Sequence, residues 1–179
     1  MLSVIGYSVF FVLFFGTLHA QARRWRMLAA SYGGVAGPPR DKRSMQSAVL
    51  LGIGGYNSLK GILTIGVHDE GVSLRVLPPF SLFHDPLFIP YGDIRGWRTT
   101  WYLDAPSVEL EFDGVPGIKM VVPADQAEFI GSSAGRKMAL SAAEPPQGKA
   151  GQGARAFALV HAWLSLVMLA SLLFVWLTQ

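Results

Sequence analysis

The sequence predicts an α+β membrane protein: two transmembrane helices flanking one antiparallel β domain that carries a capping helix. Three observations predict it. All 15 Lys and Arg and all 12 Asp and Glu of the 179 residues lie between Arg23 and Arg155. The runs outside them, residues 1–22 and 156–179, have no charged side chain and match the roughly 20 apolar residues that a helix needs to cross a bilayer. Between them, apolar residues recur at every second position, the period of a half-buried strand.

The first run centres on Phe10, Phe11, Phe14 and Phe15. Ala20-Gln21-Ala22 resembles a signal-peptide cleavage site, but no cation precedes the apolar stretch and Arg23-Arg24 follows it, the reverse of a signal peptide. The second run ends in Leu172-Leu-Phe-Val-Trp-Leu177. Arg23, Arg24 and Arg26 follow the first run, and Arg136, Lys137, Lys149 and Arg155 precede the second. By the positive-inside rule the connecting domain is expected in the cytoplasm of a bacterial inner membrane, with Trp25 and Trp176 at the water interfaces. The domain division is 1–22 and 156–179 for the spans, 23–43 for a juxtamembrane helix and loop, 44–140 for the β domain and 141–155 for a Pro/Gly-rich tether.

Within the domain, Arg23 to Ser31 continues as helix until Gly33-Gly34-Val-Ala-Gly37-Pro38-Pro39 stops it. Strand patterning begins near Ser47. Leu59, Leu63, Ile65 and Val67 share one face, and His68-Asp69-Glu70-Gly71 forms a turn. Val72, Leu74 and Val76 alternate next, and Ile94–Leu103 is an aromatic strand with Trp97 and Trp101. Val108, Leu110 and Phe112 alternate with Glu109, Glu111 and Asp113, and after the turn at 113–117 Ile118, Met120 and Val122 complete a hairpin. Residues 124–139 lack β-branched runs and read as a helix. The expectation is six or seven short antiparallel strands and one helix covering an open edge or end.

Tyr56-Asn57-Ser58-Leu59, Gly71-Val72-Ser73-Leu74 and Asp85-Pro86-Leu87-Phe88-Ile89-Pro90-Tyr91-Gly92-Asp93-Ile94 resemble PH-like, GRAM-like β domains of small bacterial membrane-anchored proteins. Trp25-Arg-Met-Leu-Ala-Ala-Ser-Tyr32 adds to the likeness, which covers roughly residues 25–130. The resemblance implies a PH-like antiparallel β-barrel of seven strands capped by a helix. It implies no catalytic residues.

The chemistry-bearing residues are few. With no Cys there is no disulfide, thiolate metal site or Cys nucleophile. A net charge of +3 without a basic stripe argues against nucleic acid as a partner. Gly131-Ser-Ser-Ala-Gly135-Arg136-Lys137 is one residue short of a phosphate loop and lacks its Ser or Thr, and no metal site, triad or nucleophile elbow is visible. His68 and His84 read as loop residues, Glu109, Glu111 and Asp113 as a solvated strand face, and Pro90 and Asp93 as a strand start and a turn cap. His19 and His161 lie inside the apolar runs, where they could form a helix–helix hydrogen bond or contact a haem, quinone or pigment. Arg23, Arg24 and Arg26 could hold anionic lipid headgroups. Ala158, Ala162 and Ser165 form a small-residue stripe suited to helix packing. The expected function is non-catalytic and without a cofactor: an accessory or scaffolding subunit of a larger membrane protein complex. The alternatives are lipid or small-ligand sensing by the barrel, or cofactor contact through the two histidines.

Overall fold

The computed structural model describes residues 22–53, 55–101, 105–135 and 138–141, together with Gly16 and His19. The first described element, α1 (Arg23–Tyr32), buries Trp25, Leu28 and Tyr32, one stripe at helical spacing. It ends where Gly33 turns extended while donating its N–H to Ala29 O at 2.8 Å. Two meanders follow. The first is β1 (Asp41–Gly52), β2 (Gly55–Val67), β3 (Gly71–Val76) and β4 (Leu87–Pro90). The second is β5 (Ile94–Trp101), β6 (Ala105–Phe112) and β7 (Lys119–Pro123). Then come α2 (Ala124–Ala134) and β8 (Ala139–Ser141).

The eight strands among the described residues form one sheet in the order β4-β3-β2-β1-β7-β6-β5-β8. β7 returns to β1 with Val49 opposite Val121, and β8 lies parallel to β5. β4 and β5 stand near opposite ends of this order, yet only the 3₁₀ turn Tyr91–Asp93 joins them. So short a link forces the sheet to curl into a half-barrel. The turn is tied into both meanders: Tyr91 N–H donates to Glu70 O at 3.0 Å, extending the β3–β4 pairing, and Asp113 N–H to Asp93 O at 3.0 Å, extending the β5–β6 pairing.

This corrects the expected barrel with a capping helix. β4's outer edge is taken by the chain leaving α1, through a bridge from Gly33 to Leu87 and Gly34 N–H on Pro86 O at 3.1 Å. β5's edge is taken by β8. The helix expected over 124–139 stops at Ala134, where Gly135 takes a positive φ of 57°, and its tail supplies β8. α2 packs on β6 and β7 through Ala127, Phe129 and Ile130. Its buried Gln126 amide, oriented to satisfy both its ends, donates to Ser47 O at 2.9 Å and accepts from Ser47 N at 3.2 Å.

The membrane reading is corrected as well. Among the described residues no helix is long and apolar enough to cross a membrane: α1 has ten residues with three arginines, and α2 has eleven. The two-pass architecture, the inner-membrane localisation and the cytoplasmic placement of the domain are therefore not supported. Residues 1–22 and 156–179, the two expected spans, lie outside the described residues except for Gly16, His19 and Ala22. Trp25, expected at a water interface, is fully buried.

The core fills the concave side of the sheet with Leu50, Leu63, Ile65, Ile89, Ile94 and Met120, closed by Trp25 and Leu28. β1 and β2 pair around two irregularities, and Met45 (φ 59°) and Gly61 (φ 69°) sit there in the left-handed region. Gly52 has φ 130°, and a Cβ there would lie 2.3 Å from Gly117 O. Gly52→Ala should therefore destabilise by about 2 kcal/mol through strain and clash together. A lower urea midpoint with unchanged slope is expected, and an unchanged midpoint would refute the close approach.

Candidate functional site

A concave feature lies where β2, β3 and β4 meet the chain leaving α1. Along these strands Gly66, Ser73 and Phe88 form one cross-strand row on the convex side. Residues 33–40 cross that side as a strap. Gly33 and Gly34 fix one end at β4, while Arg40 N–H fixes the other on Val67 O at 2.8 Å. A side chain on Gly66 would collide with Ser73 and with Pro39, so the bare backbone lets the strap lie close.

Strap and sheet enclose an open cleft of about 570 Å³. Ser31, Tyr32 and Gly33 to Gly37 form one wall, and His68, Asp69, Glu70, Phe88, Pro90 and Asp93 the other. Its walls come from four stretches of sequence: the end of α1 with the strap, the β2–β3 turn, β4, and the 3₁₀ turn. Three carboxylates rim it. Asp69 meets Arg40 at 3.0 Å, but both side chains are largely in water, so that pair holds the strap only weakly. The Tyr32 hydroxyl accepts Gly114 N–H at 2.7 Å; burial foremost, with Asp93 beside it, pushes the phenol above its ordinary range.

His68 Nε2 lies 2.9 Å from Ser73 Oγ, and Ser73 in turn donates to Gly66 O at 3.3 Å. With that proton committed to the carbonyl, Nε2–H is the donor and Nδ1 carries the lone pair. Burial lowers the imidazole pKa and the Asp69 charge partly restores it, so the ring is neutral at pH 7. Phe88 meets the ring edge-on at 5.5 Å, and His68 O accepts the Tyr91 hydroxyl at 3.1 Å. A serine against a histidine resembles a nucleophile with its base, yet Ser73 does not line the cleft. The pair fastens β2 to β3 beneath the strap.

Of the three arginines, Arg23 and Arg26 are exposed. Arg24 is half-buried and donates through Nε to Gly52 O at 2.7 Å; burial, then the charge of Arg23, lowers its pKa. Arg24 thus fastens the β1–β2 turn. His19 stands edge-on to Phe83 at 5.3 Å. His161, its expected counterpart for a haem, quinone or pigment, lies outside the described residues, as do Ala158, Ala162 and Ser165. His84 donates Nδ1–H to Leu82 O at 2.9 Å and lies 5.5 Å from Trp25. Its Nε2 is buried without a partner among the described residues.

Two expectations for the strands need correction. Glu109, expected in solvent, is 2 % exposed and is bound by Lys119 Nζ at 2.7 Å, which also holds Glu111 at 2.7 Å. Pro90 ends β4 opposite Gly71 rather than starting a strand. Sequence reasoning does not gather Tyr32, Phe88 and Asp93 with the β2–β3 turn, and the glycine–proline run at 33–39 is the one signal that this segment has a special path. No family model matches the chain, and no curated protein matches it.

Proposed function

We propose that the chain is a non-catalytic interaction module, an accessory subunit whose strap-and-sheet cleft grips a segment of a partner protein. The cleft itself carries this reading. It is built where a short peptide could lie between the strap and the β2–β3 turn, with Phe88 and Pro90 as apolar contacts and the carboxylates of Asp69, Glu70 and Asp93 at the rim. Such a surface favours a partner segment with an apolar anchor and a basic neighbour. Ser73, which with His68 resembles a nucleophile and its base, has its hydroxyl turned to the Gly66 carbonyl.

The test places a photo-crosslinking residue at Val35, which is 76 % exposed on the strap, and at Thr100, exposed on β5, as control. One defined partner band from Val35, absent from Thr100, is expected. Val35→Asp should cut co-purification of that partner roughly tenfold or more without changing the urea midpoint, because a carboxylate forced out of water against the partner's apolar anchor costs about 1–3 kcal/mol. Equal crosslinking from both positions would refute the cleft as the gripping surface.

A further inference from the structure

At the opposite end of α1 from the cleft, the described structure gathers apolar tips around cations. Seven large hydrophobic side chains are exposed among the described residues, and four of them, Ile53, Phe80, Leu82 and Phe83, sit on two loops fastened to the first turn of α1. Arg24 holds the β1–β2 turn bearing Ile53 through Gly52 O. Trp25 holds the 77–86 loop through Asp85 O at 2.7 Å and stacks edge-on against His84. Phe80, Leu82 and Phe83 are 55 %, 46 % and 36 % exposed, a costly display for one short loop. Arg23 and Arg26 stand exposed on the same turn of helix. Asp85, also exposed, offsets one of these charges.

We propose that this pole docks on an anionic lipid surface, with Phe80, Leu82, Phe83 and Ile53 entering the headgroup–acyl boundary and Arg23 and Arg26 pairing with headgroup phosphates. Charge complementarity selects this occupant. Aromatic and aliphatic tips beside two exposed arginines suit a surface that is apolar just below a layer of negative charge. The contact is superficial, the tips entering no deeper than the headgroup–acyl boundary. It is independent of the cleft, because ten helical residues set the two ends of α1 about 15 Å apart. A partner gripped in the cleft would be presented beside the surface on which the pole rests.

The chain has no native cysteine, so single sites can be labelled cleanly. The full chain carrying Leu82→Cys with an environment-sensitive dye is mixed with phosphatidylcholine vesicles, with and without phosphatidylglycerol. Val35→Cys, on the strap, is the control. A blue shift at position 82 in the anionic vesicles, none at 35, and a weaker shift in neutral vesicles or high salt are expected. Arg23→Glu with Arg26→Glu should weaken the response roughly tenfold or more. The dye reports its own surroundings, so whatever else brings the chain to a vesicle does not produce the shift. A dye at 82 that stays aqueous on vesicles carrying the chain overturns the proposal, as does an equal shift at 82 and 35. A shift unaffected by lipid charge and by the arginine changes also overturns it. So does a dye at 82 that is shielded only when a protein partner is bound. None of these results bears on crosslinking from the cleft.

Discussion

Trp25→Ala should be the most damaging single substitution in α1, lowering stability by about 3–5 kcal/mol. Trp25 is fully buried and is the largest side chain that α1 contributes to the core. Its loss leaves a cavity that the surrounding sheet can only partly fill. It also removes the hydrogen bond from Nε1 to Asp85 O and the ring contact with His84, which together hold the 77–86 loop. Trp25→Phe separates the two effects. It keeps most of the apolar volume and loses the donor, so a cost of about 1–2 kcal/mol is expected. Urea unfolding measures both, and amide exchange over residues 80–85 reads the loop directly. Faster exchange there in both variants, with a large stability loss only in Trp25→Ala, is expected. Loop exchange unchanged in Trp25→Phe would show that the indole hydrogen bond does not hold the loop. Against total stabilities of about 5–15 kcal/mol for domains of this kind, the alanine variant stands near the unfolding threshold.

Trp25 also marks where the sequence stops informing. The helix that carries it is legible, since helical continuation is local information, but its burial is not, and the sequence places Trp25 at a water interface instead. What it packs against is not legible either, because Asp85 is 60 residues away. Strands β2, β3, β6 and β7 are legible for the same local reason. Leu59, Leu63, Ile65 and Val67 are all buried in the core, as are Val72, Leu74 and Val76, and both hairpin turns fall where Gly and Asp cluster. The first half of β1 escapes: residues 41–45 are exposed, so no alternation of apolar residues betrays them. β8 escapes because three residues paired in parallel to a distant strand leave no period to detect. The half-barrel reads as a barrel because edge occupancy is decided by Gly33 and β8, not by the strands themselves.

The cleft is the least legible feature. Its residues come from separate stretches, and each looks ordinary alone: a glycine-rich loop, an acidic turn, a proline that reads as a strand start. Their meeting depends on the strap crossing the sheet, and that path is set by Gly66, whose missing side chain leaves room for Pro39. The apolar loop at the other pole shows the converse. Phe80, Leu82 and Phe83 belong to no strand or helix pattern in the sequence, and only their exposure in the fold sets them apart.

Lys119→Met should cost about 3–5 kcal/mol, while the double variant Glu109→Leu with Lys119→Met should restore most of it. The alternation along β6 places Glu109 on the convex face of the sheet, but it is 2 % exposed there, with the Lys119 ammonium against its carboxylate. A carboxylate taken out of water is tolerable only while its charge is matched. Removing Lys119 strands Glu109; removing both leaves apolar side chains on adjacent strands, where Glu109 faces Val121. Glu111, which shares Lys119, is 32 % exposed and can turn to water. The pH dependence has a definite sign. Burial opposes the charge on Lys119, but the bonds from Glu109 and Glu111 outweigh it and raise the pKa above the ordinary 10.5. A raised lysine stabilises the folded state fully below the unfolded value and loses that contribution as pH climbs through the folded one. The gap between the native chain and Lys119→Met should therefore be constant through neutral pH and narrow only above about pH 10.5. Urea midpoints taken from pH 6 to about pH 11 follow it. A double variant no more stable than Lys119→Met alone would show that Glu109 is not stranded by losing its lysine, and that its burial is matched by some group other than Lys119.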